Sequence, residues 1–283
     1  MKTTILVHCP DQGGIISSVT AFIHKNKGNI VYLDQHVDKP ANVFFMRMAI
    51  EFSDNFSDLE HFKSLFHKEL TSKYKMEWSL HTDGVLPKMA LFVSKYNHCL
   101  YDLLSRYHSG ELAVEIPFIL SNHIDLKHIA DQFEIPFFHV PFNKTNKIEA
   151  EKEQLALLNT YEIDFIVLAR YMQIISGNLI SKFPNKILNI HHSFLPAFAG
   201  AKPYHAAFKR GVKIIGATCH YVTEELDAGP IIEQDVTTVT HSHSIEDFIT
   251  KGRDLEKIVL SRGVKLHIAR KTMVYNNKTV IFS

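Results

Sequence analysis

The stretch DFIVLARYMQIISGNLISKFPNKILNIHHS, residues 164–193, indicates the fold of the larger part of this chain. It contains two short apolar runs, FIVLA and ILNI, separated by a segment that reads as a short helix near Asn178 to Phe183. Apolar strands that alternate with helices are typical of a parallel sheet covered by helices on both faces. Residues 164–193 therefore predict one strand–helix–strand unit of such a sheet.

The same alternation of strands and helices begins at Lys88 and predicts a Rossmann-like domain over residues 88–283. A long helix is predicted over Ser244 to Arg270, and a final hairpin turns at Asn276-Asn277. The predicted strands of this mostly parallel α/β sheet are KMALFVS, LAVEIPFIL, FFHVP, DFIVLAR and ILNIHHS, with IIGATCHYV and PIIEQDVTTV as further strands.

The first 84 residues follow a different order, which reads as strand, helix, strand, strand, helix, strand. Apolar residues at helical spacing follow Asp11, and a second amphipathic helix is predicted over Leu59–Leu70. This order predicts a ferredoxin-like βαββαβ domain over residues 1–84. Turn-forming residues in TDGVLPK interrupt the periodicity and mark the boundary between the two domains.

The composition excludes several classes of function. Lys and Arg number 31 against 30 for Asp and Glu, so no basic field favours nucleic acid or an anionic membrane surface. We find neither a membrane-spanning apolar run nor a secretory leader, and we expect a cytoplasmic protein. Cys9, Cys99 and Cys219 are widely spaced and are expected to be reduced. The 18 histidines include no metal-binding motif, so no metal is expected.

Polar residues at the end of the ILNI strand are candidates for catalysis. Asn189 and His191 are two residues apart, so a strand would point both to one side and His192 to the other. An amide and an imidazole together suit the stabilisation of an oxyanion and the transfer of a proton. Asp227 in LDAGP is the candidate carboxylate partner of the imidazole. Each of these residues alone is more often a turn or cap residue, and only their combination favours an active site.

Three segments carry a specific resemblance: IDFIVLARYMQIIS, ILNIHHSFLPAFAG and GATCHYVTEELDAGPIIEQD. They resemble the formyltransferase fold shared by phosphoribosylglycinamide formyltransferases and 10-formyltetrahydrofolate deformylases, over Lys88 to Phe282. The resemblance implies a catalytic trio of Asn189, His191 and Asp227, with folate as substrate and neither a cofactor nor a metal. It further implies folate contacts from Arg170, Tyr171, Met172, Gln173, Ile174, Ile175, His220, Tyr221, Val222, Thr223 and Glu224.

The turn after the first strand of this domain distinguishes hydrolysis from transfer. Phosphoribosylglycinamide formyltransferases carry a glycine-rich turn there, which holds the phosphate of the acceptor. Here the turn is Ser94 to Cys99 without glycine, which favours the deformylase reaction, 10-formyltetrahydrofolate to formate and tetrahydrofolate. This reaction would supply formate for purine synthesis and balance one-carbon folates. The alternatives are a formyltransferase with an amine acceptor and a non-catalytic folate or amino-acid sensor.

The N-terminal segments CPDQGGIISSVTAFIHKNKGNI and DQHVD resemble an ACT domain. This resemblance implies a regulatory or assembly domain, an amino-acid effector, and a homo-oligomer, either a dimer or a tetramer formed through both domains. Service in assembly alone is the alternative. The effector residues that the resemblance implies are Asp11, Gly13, Gly14, Ile15 and Asn29.

Overall fold

A computed structural model describes residues 1–53, 58–143, 145–197 and 202–283 of the chain. The end of the motif ILNIHHSFLPAFAG, including its glycine, lies outside the described residues. The chain divides into two compact units. The first comprises Met1–Val85, Arg270–Met273 and Val280–Ser283, and the second comprises Leu86–Ala269 and Val274–Thr279.

The first unit contains a four-stranded sheet in which every strand runs antiparallel to its neighbours. The strand order is β2-β3-β1-β4, with β1 and β3 in the centre. With one helix after β1 and another after β3, the elements follow the βαββαβ order predicted from the sequence. The strands are β1 (Lys2–Pro10), β2 (Gly28–Asp38), β3 (Val43–Phe52) and β4 (Glu77–Thr82).

Two helical segments form the core of this unit with the sheet. Helix α1 (Ile15–Lys25) buries Ile15, Val19, Phe22 and Ile23, whose spacing places them on one face. The second segment was predicted as one helix, but α2 (Leu59–Phe66) continues through a π-helical turn at His67–Thr71 into α3 (Ser72–Tyr74). The rings of Phe22 and Phe66 meet edge to face at 5.4 Å, so aromatic packing joins the two segments.

The second unit contains a seven-stranded sheet in the order β11-β10-β9-β8-β5-β6-β7. The five strands from β9 to β7 are parallel, and β10 runs antiparallel to both β9 and β11. The sheet is therefore mostly parallel, as predicted. Its strands are β5 (Met89–Val93), β6 (Ile119–Ser121), β7 (Phe137–His139), β8 (Phe165–Leu168), β9 (Ile187–His191), β10 (Ile214–Tyr221) and β11 (Ile231–Thr238).

Helices pack around this sheet, and one of them was not predicted. Helix α8 begins at Pro203, a residue suited to the first helical turn, and ends before Gly211 in the left-handed conformation. The predicted long helix is present as α9, which Ser244 caps through a capping box with Asp247. The helices are α4 (His98–His108), α5 (Lys127–Gln132), α6 (Lys147–Thr160), α7 (Gly177–Lys182), α8 (Pro203–Arg210) and α9 (Ile245–Ile268).

The predicted strand LAVEIPFIL was largely wrong. Only Ile119–Ser121 forms a strand, although Leu112, Val114 and Ile116 are buried in the core. Their alternation mimics a strand, but Pro117 has no N–H with which to extend the ladder. Burial of alternate side chains along an irregular segment explains the misleading pattern.

The predicted C-terminal hairpin is present as β12 (Thr272–Tyr275) and β13 (Lys278–Ile281). Asn276 and Asn277 form its turn, both with positive φ, at 45° and 58°. Asparagine tolerates this conformation better than most residues, which explains the pair at the turn. Across the described residues, no helix is both long and apolar enough to cross a membrane.

Candidate active site

A cavity of about 270 Å³ lies at the carboxyl ends of β8 and β9. This is where open α/β sheets hold their ligands. Its lining comes from three segments of chain, at 168–175 after β8, at 189–192 at the end of β9, and at 220–227 from the end of β10. These are the three segments that carry the sequence motifs, so the fold brings all three together.

Strand alternation directs Asn189 and His191 of β9 into this cavity. His192 was predicted to point away, but it lines the same cavity as well as a smaller apolar one of about 160 Å³. Because β9 ends at His191, strand alternation no longer governs the next residue. The ring centroids of the two histidines lie 5.2 Å apart.

The imidazole of His191 is oriented by Asp227. Nδ1 of His191 lies 3.2 Å from Oδ2 of Asp227, and both side chains are largely buried. A carboxylate in this position accepts a hydrogen bond from the N–H at Nδ1, which leaves Nε2 as the basic nitrogen of the neutral ring. Nε2 is buried and has no hydrogen-bond partner among the described residues. The geometry suits a base that takes a proton at Nε2.

Asp227 is held as a carboxylate by its surroundings. The hydrogen bond from His191 lowers the pKa of Asp227 below its ordinary value, and this outweighs the opposing effect of burial. The backbone at Asp227 is in the left-handed region, with φ of 56°, which aspartate tolerates better than most residues. An unusual backbone conformation at a charged cavity residue is common in functional sites.

Asp227→Asn is expected to weaken the acid dependence of folding stability. The folded-state pKa of Asp227 lies below the ordinary value of 3.8, so the stabilisation from its ionised form is complete above about pH 5 and is lost as the pH falls through the folded-state pKa. Urea unfolding near neutral pH and near pH 3 measures the effect. The unsubstituted protein should lose more free energy of unfolding than the variant, and equal losses would contradict the prediction.

The amide of Asn189 is oriented by His220 of β10. Nδ1 of His220 lies 2.9 Å from the carbonyl oxygen of Tyr221, which can only accept, so Nδ1 carries the proton. Nε2 of His220 then accepts from Nδ2 of Asn189 at 3.2 Å. Burial lowers the pKa of His220, which favours this neutral form. The second N–H of the Asn189 amide is left to act as a donor to a ligand.

The loop that carries Asp227 approaches β10 closely at Gly229. A Cβ atom at this position would lie 1.8 Å from the carbonyl oxygen of Tyr221, so only glycine fits. The neighbouring Pro230 carbonyl accepts the backbone N–H of Tyr221 at 2.9 Å and closes the loop. The same Tyr221 carbonyl accepts a hydrogen bond from Nδ1 of His220. The position of this one carbonyl therefore affects both the loop that carries Asp227 and the histidine that orients Asn189.

Apolar side chains form the other wall of the cavity, along residues 170–175. Met172 and Ile174 are largely exposed there, whereas the ring of Tyr171 is buried and its hydroxyl accepts from Gln154 at 3.1 Å. Leu226 contributes a further exposed apolar side chain from the facing loop. Such a cleft of apolar walls with a few oriented polar groups is typical of small-molecule sites.

Most of the residues predicted to contact folate line this cavity, but Tyr221 does not. Its ring is buried in the core of the unit, and its hydroxyl pairs with Nδ1 of His267 at 2.8 Å. Alternation along β10 explains this, because His220 and Tyr221 point to opposite faces. Leu168, Ile190 and His192 also line the cavity and were not predicted to do so, although all three lie within the sequence motifs.

In the first unit, the predicted effector residues do not all come together. Asp11, Gly14 and Ile15 line a shallow cleft that also includes Gln35 and Val37 of β2. Gly13 is not among the lining residues of this cleft, and neither is Asn29, which pairs with Glu51 near the opposite end of β2. Six residues of extended chain separate positions 29 and 35, about 20 Å, which puts Asn29 out of reach within one chain.

Comparison with known proteins shows to which family the chain belongs. Residues 87–264 match the formyl transferase family. Over all 283 residues the chain is 50% identical to a formyltetrahydrofolate deformylase from Synechocystis, covering 99% of that protein. The crystal structure of a formyltetrahydrofolate deformylase from Pseudomonas syringae superposes with a TM-score of 0.96 at 44% identity, covering 100% of this chain and 95% of that chain. The chain belongs to the formyltetrahydrofolate deformylase family.

The chain is also similar, over part of its length, to a glycinamide ribonucleotide transformylase. Glycinamide ribonucleotide transformylase 1 from Symbiobacterium toebii is similar with a TM-score of 0.66 and 25% identity, and the match covers 98% of that chain but 72% of this one. The similarity to this transformylase covers only part of the chain, whereas the similarity to the deformylases extends over the whole chain.

Proposed function

We propose that this protein hydrolyses 10-formyltetrahydrofolate to formate and tetrahydrofolate. The observation that carries the proposal is the contact between His191 and Asp227 beside Asn189, in a cavity with apolar walls. Membership of the deformylase family supports it. The folate ring system lies against the apolar segment 170–175, and the formyl group lies near the end of β9.

The reaction begins with proton transfer to Nε2 of His191 as the oxygen of water attacks the formyl carbon. Asp227 stabilises the imidazolium that forms, and an N–H of the Asn189 amide donates to the oxyanion of the tetrahedral intermediate. The intermediate then collapses with cleavage of the bond between carbon and N10. The proton on Nε2 passes to N10 to complete tetrahydrofolate. The formic acid that forms at the same time releases its own proton to solvent and leaves as formate. This mechanism needs no metal or cofactor.

The turn between β5 and α4 supports water as the acceptor. Ser94 to Cys99 contain no glycine, and the side chains of Lys95 and Tyr96 occupy this turn. Backbone amides bind phosphate best where small residues allow a close approach. A phosphorylated amine therefore lacks the cradle that a glycine-rich turn provides.

Release of formate without any amine acceptor tests the proposal directly. Purified protein is incubated with 10-formyltetrahydrofolate alone, and formate and tetrahydrofolate are both quantified. Equal amounts of the two products are expected. Strict dependence on glycinamide ribonucleotide would instead identify an amine formyltransferase, and folate binding without turnover would identify a sensor.

We infer that the reaction supplies formate for purine synthesis and balances one-carbon folates, in the cytoplasm. All three cysteines are buried and free, which is typical of proteins in a reducing compartment. For the first unit, we propose an ACT domain that assembles the protein as a homo-oligomer and binds a small amino acid near Asp11, Gly14 and Ile15.

Methionine and glycine are the amino acids with which to test the first unit. Binding of either one is expected to change the rate of formate release, because a regulatory ligand must favour one state of the enzyme over another. Calorimetric titration and turnover are measured on the same preparation. A ligand that binds without altering the rate, or the absence of binding by both, would favour a role in assembly alone.

A further inference from the structure

A cluster of buried polar side chains lies around Glu256 of α9, and one of its members, Arg170, also lines the cavity. Glu256 is fully buried, and its Oε1 accepts the hydroxyl proton of Tyr204 at 2.6 Å. Its Oε2 lies 2.9 Å from Nε2 of His98 and 3.4 Å from Nε of Arg170. Glu256 therefore joins α8, α9, the start of α4 and the cavity segment that begins at Arg170.

The proposed mechanism uses no charge at this position, yet the fold retains one. Burial by itself would raise the pKa of Glu256, but the hydrogen bond from His98 and the charge of Arg170 bring it below its ordinary value. A guanidinium is always protonated in proteins. Glu256 and Arg170 thus form a buried ion pair, and such a pair contributes position more than net stability.

Arg170 is in an uncommon backbone conformation for its residue type. Its φ is 63°, in the left-handed region, which is unfavourable for an arginine. The side chain is buried, and its guanidinium carbon lies 4.9 Å from the ring centroid of Tyr96. Nε of Arg170 has no hydrogen-bond partner among the described residues, so the contact with Glu256 holds it by charge.

A second contact holds the same segment two residues later. The backbone N–H of Met172 donates to Oγ of Ser94 at 3.0 Å, and that hydroxyl donates to Oδ1 of Asn122 at 2.6 Å. Ser94 and Tyr96 both belong to the turn after β5. The turn therefore contacts the apolar wall of the cavity at two points, at Arg170 through Tyr96 and at Met172 through Ser94.

We propose that Glu256 is a positioning residue for the folate cavity. Through the side chain of Arg170 it holds residues 170–175 in the conformation that forms the apolar wall. This inference rests on the proposed function for the identity of the ligand. Glu256 does not touch the reacting atoms, so it acts on substrate affinity and not on the chemical step.

A metal site is the competing explanation for the cluster. His98, Cys99 and Glu256 offer ligand atoms that all lie within 4.8 Å of one another. However, burial raises the pKa of the Cys99 thiol well above its ordinary value, so the thiolate that a metal needs is disfavoured. The guanidinium of Arg170 beside Glu256 also opposes a cation there. The charges of the cluster favour the ion pair.

Glu256→Gln and Arg170→Met, separately and together, test the proposal. Glutamine keeps the size of the side chain and an acceptor for Tyr204 but removes the charge. Each single variant should raise the KM for 10-formyltetrahydrofolate roughly tenfold and change kcat by less than about threefold, because the wall binds substrate and transition state alike. The double variant should be no worse than either single variant, because the two side chains act as one pair.

Titration with tetrahydrofolate, the product, provides a readout that does not depend on turnover. Its Kd should rise in parallel with KM in Glu256→Gln. The control is Asp235→Asn, which removes the carboxylate 2.9 Å from Nη1 of Arg262 at the surface of the same unit and should leave KM, kcat and Kd unchanged. If the unsubstituted protein binds tetrahydrofolate but releases no formate, the proposed hydrolysis fails while the positioning role is still tested by Kd.

Three results would overturn the positioning role. The first is a Kd and KM in Glu256→Gln within twofold of the unsubstituted protein. The second is a pair of single effects that multiply in the double variant, and the third is a stoichiometric metal that Glu256→Gln loses.

If Glu256→Gln does not fold, Tyr96→Leu removes the ring beneath Arg170 without creating a buried unpaired charge. Its KM should rise roughly threefold with kcat retained, and an unchanged KM would contradict the proposal.

Discussion

Replacing His191 by alanine is expected to lower kcat for formate release roughly 10³-fold, within the range that a positioned acid–base group contributes. The imidazole is fixed by Asp227 at 3.2 Å and presents a buried Nε2, so in the proposed mechanism its loss removes the group that transfers the proton to N10. Affinity for tetrahydrofolate should change much less, because the apolar wall that binds the ring system is untouched. Single-turnover kinetics and product titration measure the two effects.

His139→Ala is the matched control for this prediction. His139 is also the last residue of a strand in the same sheet, but it is exposed and lies outside the cavity lining. Its replacement should leave kcat within about twofold, as is usual for surface positions. Full activity in His191→Ala would exclude the proposed mechanism. A comparable loss in both variants would indicate that the effect of His191→Ala is not specific to the cavity.

Replacing Gly229 by alanine is expected to abolish most activity and to destabilise the second unit. A Cβ atom there would lie 1.8 Å from the Tyr221 carbonyl oxygen, so the backbone of β10 or of the Asp227 loop must move. We expect a loss of about 3 kcal/mol in the free energy of unfolding, at the upper end for overpacked sites. Displacement of the Tyr221 carbonyl also frees His220, and through it Asn189. A loss of kcat above about 100-fold should follow.

Gly211→Ala separates this effect from a general intolerance of glycine replacement. Gly211 has a positive φ of 71° but open space around its Cβ position. Its replacement should cost about 1 kcal/mol from backbone conformation alone and leave kcat unchanged. Chemical denaturation and formate release are measured on both variants. Near-equal stability losses, or a Gly229→Ala protein with ordinary kcat, would contradict the proposed role of the close approach.

The sequence predicted which residues meet in the cavity better than the contacts that orient them. Asn189 and His191 could be placed because they end a regular apolar strand, where periodicity and the position of ligand sites in α/β sheets agree. The partnership of Asp227 with His191 required the family resemblance. The hydrogen bond that orients the Asn189 amide could not be predicted. It depends on the antiparallel pairing of β10 with β9, which sets His220 opposite Asn189.

The errors in the prediction have local physical causes. Tyr221 was placed in the folate site as part of a continuous motif, although a strand turns adjacent residues to opposite faces. Leu112 to Ile116 looked like a strand because their alternate side chains are buried without a ladder. Asn29 was predicted as an effector residue from the ACT resemblance alone. Its distance along β2 from the cleft at Asp11 is seen only in the register of the sheet.

The closed loop between β10 and β11 limits how this enzyme can change. The hydrogen bond between Tyr221 and Pro230 fixes both ends of the loop. At Gly229 the backbone of the loop is already in close contact with the strand. An insertion or a deletion between Val222 and Gly229 would therefore shift the carboxylate of Asp227 relative to His191. The side chains of Thr223, Glu224 and Leu226 line the cavity, so their replacement can reshape it while the length of the loop stays fixed.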